Sequence, residues 1–179
     1  MNALEKMKTL WQRLLPHMQQ SSCNEHTDKN PKRSPVPPSV WQNPIHFIAC
    51  GFGSGALPWV PGTWGTVVGV LFFLFLAPLS LPFYLLSLTI LTVLGVWASE
   101  ITARDFGIHD HTSVNFDEII GYLVTMIAIP ATPFWILAGF ILFRLFDIWK
   151  PWPIRLADEK IHGGFGMIFD DILAGALAC

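Results

Sequence analysis

From residue 43 onward the chain is a succession of apolar runs separated by short Pro-rich or charged segments. Four runs read as membrane spans. The first covers about Trp64 to Leu76 and ends at Ala77-Pro78. The second covers about Pro82 to Ile101, the third runs from Asp117 to Ile129-Pro130, and the fourth from about Pro133 to Trp149. A final helix opens near Met167 and runs to Cys179. A bilayer core takes about 20 helical residues, so the second run is long enough, the others are short, and the last is too short alone. Short spans imply a locally thinned bilayer or helices that shelter one another. The stretch Ile45 to Leu57 is apolar but short and carries Gly51, Gly53 and Gly55, which suits an interfacial or re-entrant helix. The predicted fold is therefore all-α: a polytopic membrane bundle of about four spans plus short interfacial helices.

The first 42 residues have a different pattern. Leu4, Met7, Trp11, Leu14, Leu15 and Met18 recur at helical spacing, with Lys6, Lys8 and Arg13 elsewhere around the helix. Such an amphipathic helix over residues 3–18 suits either an anionic leaflet or a docking role. Residues 19–40 are polar and Pro-rich, which predicts a disordered linker. The chain thus divides into an arm and linker, 1–42, and a membrane-embedded domain, 43–179.

Composition supports that division. The chain has 179 residues, 52% hydrophobic, 13% charged, with a mean hydropathy of +0.46. A soluble domain of this length would carry more charge. Residues 1–43 hold six Lys/Arg against three Asp/Glu, whereas the remainder holds five against ten. The connections Ala77–Pro82 and Pro130–Pro133 are uncharged, while Thr102–Phe116 and Lys150–Gly166 carry most of the remaining charge. Lys and Arg mark the cytoplasmic side, so the N-terminus and both charged loops are expected there. No internal repeat argues for the inverted halves of a transporter. Cys23, Cys50 and Cys179 are too widely spaced for a disulfide framework or a metal pair. No secretory signal pattern is visible.

The charges that interrupt the apolar runs are the candidate chemistry. Asp117-Glu118, Asp147 and Asp170-Asp171 lie at or near helix ends, accompanied by Arg144, Lys150 and Arg155. A charge at the centre of a membrane helix costs roughly 2.5–3.5 kcal/mol on insertion scales, so a group of both signs asks for a function. Taken singly, each has a plain reading: acids at a helix N-terminus, or an Arg144–Asp147 pair on one helix face with Lys150 continuing the row. Taken together, carboxylates are ligands for Mg²⁺, and Arg and Lys hold phosphate oxygens. Arg144, Lys150 and Arg155 are the candidate phosphate contacts, and Asp117, Glu118, Asp147, Asp170 and Asp171 the candidate metal ligands. His109-Asp110-His111 has too few ligands at suitable spacing for a zinc site. His111 reads as a surface loop residue, and His109 could serve an acid-base step. His162 precedes Gly163-Gly164 and a helix start, a place that favours an anion. The Pro61–Thr66 loop, with Thr63, could present backbone N–H groups to phosphate, although a Gly/Pro turn with a Thr cap explains it nearly as well. Cys50 is not followed by Arg at the spacing of a thiol-dependent phosphatase, and neither a P-loop nor a Gly-x-Ser-x-Gly elbow is present.

The stretches NPIHFIACGFGSG, PGTWGT, HDHTSVNFDEIIG, FRLFDIWKPWPIRLAD and HGGFGMIFDDILAG resemble the bacterial phosphatidylglycerophosphatase A family. The resemblance runs from Asn43 to the end in the same order and with similar spacing. It implies an integral protein of the bacterial inner membrane and a Mg²⁺-dependent lipid phosphatase. The implied reaction converts phosphatidylglycerophosphate to phosphatidylglycerol in phospholipid biosynthesis. It puts the acidic pair on Asp117 and Glu118, the Arg-x-x-Asp on Arg144 and Asp147, the basic motif on Lys150 and Arg155, and the second acidic pair on Asp170 and Asp171. The arm lies outside the resemblance, and the last helix is short beside the relatives.

The expected mechanism places one or two Mg²⁺ ions among the carboxylates, with Glu118, Asp147 and Asp171 as direct ligands. Glu118 or Asp171 takes the proton of the attacking water, and His162 or His109 protonates the leaving oxygen. The expected partner is a phospholipid in the membrane, with no nucleic acid. Two rival readings stand: a cation transporter or channel using intramembrane carboxylates, and a metal-dependent headgroup transferase, whose usual Asp-rich signature is absent.

Overall fold

The computed structural model describes residues 36–57, 59–107, 111–161 and 163–179, without the side chains of 158–160. Every regular element among them is helical. A 3-10 turn, Pro38–Trp41, leads to α1, Pro44–Ala49, and a second 3-10 segment, Gly51–Ala56. Five longer helices and one short one follow: α2, Pro61–Leu76; α3, Leu81–Phe106; α4, Phe116–Thr125; α5, Pro133–Trp149; α6, Ile154–Lys160; and α7, Gly163–Ala178. The predicted amphipathic helix over residues 3–18 lies outside the described residues.

Proline sets several starts. Pro61, Pro82 and Pro133 fall in first turns, where a missing N–H costs nothing. Thr132 adds a side-chain cap on the N–H of Trp135. α3 stops at Gly107, which takes the left-handed conformation (φ 65°) suited to glycine.

Helix α4 forms the centre. Ile119, Ile120, Tyr122 and Leu123 are all fully buried, as expected of a helix covered on every side. α2, α3, α5 and α7 surround it. Close approach to α7 depends on Gly175 and Gly121: a methyl group on Gly175 would strike the carbonyl of Gly121, the small-residue contact common between membrane helices. Two phenols tie up carbonyls in this apolar interior. The Tyr84 hydroxyl donates to the carbonyl of Leu123 (2.7 Å), and that of Tyr122 to Ile136 (3.1 Å).

The outer faces of the bundle are apolar. Phe75, Val93 and Ile148 are 81%, 64% and 71% exposed. Contiguous exposed apolar surface on several helices marks contact with lipid or partner protein. Among the described residues, one helix, Leu81–Phe106, is long and apolar enough to cross a membrane; Pro61–Leu76 is apolar but shorter. Of the expected polytopic bundle of about four spans, the described residues show the all-helical body and one helix of spanning length.

Boundaries differ from expectation in instructive ways. α2 begins at Pro61, so Pro61–Thr66 is a helical turn and not a loop. α3 runs on to Phe106 because a helix need not end where its apolar surface ends. α4 ends at Thr125, and the turn after it includes Ala128 at φ 58°. The Lys150–Gly166 connection contains α6. The predicted disordered linker ends earlier, since Val40 in the first 3-10 turn is fully buried.

Candidate active site

The acidic residues come from three helices: Asp117 and Glu118 in the first turn of α4, Asp147 near the end of α5, and Asp170-Asp171 in the middle of α7 and not at the helix end expected for them. Packing of α4 against α5 and α7 brings them to one end of the bundle. Asp117 lies among Glu118, Asp170 and Asp147, close enough for their charges to act on one another. Asp171 stands in the same relation to Asp147, Asp117, Asp170 and Glu118. The five carboxyl groups are one electrostatic cluster.

Two cations enter it. Arg144 Nη1 is 2.5 Å from Asp147 Oδ2 and 3.3 Å from Glu118 Oε2, so one guanidinium bridges α5 and α4. Arg144, Asp147 and Glu118 are each less than 15% exposed at the side chain. Lys150 Nζ is 2.6 Å from Asp170 Oδ2 and joins the end of α5 to α7. The predicted i,i+3 pair is present, but Lys150 does not continue its row. It caps α5 in the left-handed conformation (φ 42°) and reaches across to another helix.

Within the cluster the backbone also contributes. Asp117 Oδ1 accepts from the N–H of Glu118, and Asp170 Oδ1 from that of Asp171. Asp171 is 4% exposed, and its Oδ2 is buried without a hydrogen-bond partner; Glu118 Oε2 likewise has none. Among the described residues, no cation lies within ion-pair distance of Asp117 or Asp171.

The glycines of α2 make room for this arrangement. A methyl group on Gly62 would collide with Glu118 Oε1 and come within 2.9 Å of Arg144 Nη1. One on Gly65 would lie 2.8 Å from Glu118 Oε2. Thr66 is fully buried beside them and donates to the carbonyl of Gly62. Thr63 is not a cap: Val60 precedes the helix with no side-chain bond, and Thr63 is half-buried within the first turn.

Asn115, the residue before α4, anchors the acidic pair. Its Nδ2 donates to Ser54 Oγ (3.0 Å) and to the carbonyl of Pro61 (2.9 Å), and its backbone N–H donates to Ala49. One side chain thus ties the 3-10 segment and the start of α2 to the start of α4. Glu100 plays a similar part for α7. Its Oε2 accepts from the N–H of Gly164 at 2.7 Å, so the anion expected at this helix N-terminus is supplied by α3. Asn115, Glu100, Gly62 and Gly65 are not singled out by the sequence pattern.

The remaining candidates separate. His109 and His162 lie outside the described residues. Arg155 is exposed on α6, in a groove that Lys150 also lines. His111 is 1% exposed, packed edge-on against Phe106, with Nδ1 accepting from the N–H of Ser113; the expectation of a surface position is corrected. Cys50 is buried, which pushes its thiol up to about 12, and it lacks the thiolate a nucleophile needs.

The donor set suits a hard divalent cation. Mg²⁺ takes carboxylate oxygens and water, and the buried Asp171 Oδ2 has neither a hydrogen-bond partner nor a cation beside it among the described residues. Among the described residues, no three acidic or imidazole groups are disposed as ligands around one point; Arg144 and Lys150 draw three of the carboxylates toward themselves instead.

Residues 47–179 match the family model described as Phosphatidylglycerophosphatase A. The chain is 44% identical to phosphatidylglycerophosphatase A of Escherichia coli over 137 residues, covering 76% of this chain and 80% of that one. It is 45% identical to the Haemophilus influenzae protein of the same name, covering 76% and 85%. It is also 37% identical to a protein of Bacteroides thetaiotaomicron named putative phosphatidylinositol-3-phosphatase, covering 72% and 85%. No solved structure matches. These relatives do not favour a transporter or channel, and the carboxylates gather at one end of the bundle instead of along a path through it. The chain belongs to the phosphatidylglycerophosphatase A family of lipid phosphatases.

Proposed function

We propose that this protein hydrolyses the terminal phosphate of phosphatidylglycerophosphate, releasing phosphatidylglycerol and inorganic phosphate, with Mg²⁺ as cofactor. The observation that carries this reading is the meeting of five carboxyl groups from three helices with Arg144 and Lys150 at one end of an apolar bundle. A phosphomonoester is close to a dianion at neutral pH. It enters an acidic cluster only with compensating positive charge.

Glu118, Asp147 and Asp171 would hold the metal, with Asp117 and Asp170 beside them. Bound Mg²⁺ supplies positive charge at the phosphoryl oxygens and favours the hydroxide form of water. The protein's own groups do the rest. Arg144 is freed from Glu118 and Asp147 to contact phosphate, and Lys150, now paired with Asp170, adds a second cation. Thr63, in the first turn of α2 next to Gly62, would add a hydroxyl contact to the phosphate. A water oxygen attacks phosphorus as the bond to the glycerol oxygen breaks. The proton of the water passes to Glu118 or Asp171, and His162 or His109 protonates the departing oxygen.

The lipid substrate also sets the topology. We read α2, α3, α4 with its following turn, and α5 as four passages through the bacterial inner membrane, shortened by mutual shelter and local thinning. The N-terminus, the charged loops and the acidic cluster then lie on the cytoplasmic side, following the placement of Lys and Arg.

Phosphate release from phosphatidylglycerophosphate in detergent micelles tests the reading. Activity is expected to vanish in a chelator and return with Mg²⁺. Full turnover after exhaustive metal removal, or no turnover with any divalent cation, would overturn it.

A further inference from the structure

A second basic feature lies outside the acidic cluster. Trp149, Lys150, Pro151, Trp152, Arg155 and Leu156 line a groove of about 610 Å³. Lys150 belongs to both places: it lines the groove, and its Nζ binds Asp170 in the cluster. The groove therefore adjoins the site. Its outer wall is unusual for the edge of a protein, since Trp149 and Trp152 are 72% and 80% exposed. Exposed tryptophan on a membrane protein marks the headgroup level of the bilayer, where an apolar ring and a polar N–H are both accommodated.

A lipid phosphodiester resides at that depth. The headgroup of the proposed substrate has two phosphates of different chemistry: a terminal monoester and an inner diester. The diester is a monoanion with no bond to be broken. It needs one cation at the interface and no metal. Arg155 is exposed and lines the groove together with the two tryptophans. A guanidinium forms paired hydrogen bonds to phosphate oxygens.

We propose that the Trp149–Trp152–Arg155 groove is a subsite for the inner phosphodiester of the lipid, separate from the buried site for the scissile phosphate. The enzyme then selects lipids that carry both a diester and a terminal monoester over lipids with a monoester alone. This rests on the functional reading above and adds the basis of headgroup selection.

The test compares wild type with Arg155→Gln and Arg155→Lys on two lipids of matched acyl chains in mixed micelles. Phosphatidylglycerophosphate has both phosphates; phosphatidic acid has the monoester only. Inhibition by phosphatidylglycerol, which keeps the diester and lacks the terminal phosphate, is measured alongside. Arg155→Gln is expected to raise KM for phosphatidylglycerophosphate about tenfold with kcat within about threefold, the loss of one charge-assisted contact in binding. Its preference over phosphatidic acid narrows by the same factor, phosphatidylglycerol inhibits correspondingly less, and Arg155→Lys falls between. Equal KM increases for both lipids, or undiminished inhibition by phosphatidylglycerol, would overturn the subsite. Where phosphatidic acid is not turned over even by wild type, the inhibition arm decides alone. Failure of the parent reading looks different: wild type then hydrolyses neither lipid, and the subsite falls with it.

Discussion

The carboxyl group of Glu118 rests directly on the backbone of Gly62, in space that any larger residue would fill. Glycine at this place in α2 is a condition for the ion pair between Glu118 and Arg144. Gly62→Ala is expected to displace Glu118 and lower kcat about a hundredfold, the scale of a misplacement of about 1 Å in a catalytic group. Gly65→Ala acts on the other oxygen of the same carboxyl. Steady-state kinetics on detergent-purified protein checks both, with gel filtration to confirm folding.

Asn115 reaches the same carboxyl through the backbone, three residues ahead of it. Asn115→Asp keeps the shape but sets an oxygen against the carbonyl of Pro61, where Nδ2 now donates at 2.9 Å. A fall in kcat of about 10–100-fold with little change in KM is expected, as for groups that orient a ligand from behind. Unchanged kcat per folded molecule would assign Asn115 to stability alone.

Much of this site is legible in the sequence, because buried charge is conspicuous among apolar residues. Asp117, Glu118, Arg144, Asp147, Lys150, Asp170 and Asp171 stand out, and the fold brings them together. α5 is readable to the residue, since Thr132-Pro133 marks its start and Lys150-Pro151 its end. Asn115 and Glu100 are not readable. A polar residue before a helix, or an acid on an exposed turn, has an adequate local explanation, and its real partners lie 54 and 64 positions away. Gly163-Gly164 reads as a break because glycine disfavours helix. The helix begins there nonetheless, with Glu100 satisfying the N–H of Gly164. The number of spans is hard to read for another reason: helices of 16 and 17 residues can be sheltered by their neighbours or by a thinned bilayer.

Glu100→Ala removes that cap from α7. A loss of about 1–2 kcal/mol is expected, seen as a fall of a few degrees in the melting temperature of the detergent-solubilised protein. Glu100→Gln, which keeps an acceptor oxygen, is expected to lose less.

Replacing Cys50 tests the role of water as nucleophile. The thiol is buried and pushed up to about 12, far from forming a thiolate near neutral pH. Cys50→Ala combined with Cys23→Ser and Cys179→Ser is expected to leave turnover within a few-fold. A loss of about 10³ or more, as when a covalent nucleophile is removed, would restore a thiolate mechanism.

In the proposed mechanism, acids on three separate helices serve one divalent ion. Mn²⁺ binding, followed by electron paramagnetic resonance on the purified protein without substrate, tests it independently of turnover. Glu118→Gln, Asp147→Asn and Asp171→Asn, one from each helix, are each expected to weaken the same binding event about tenfold or more. Unaltered Mn²⁺ affinity in any of the three folded variants would contradict the single site.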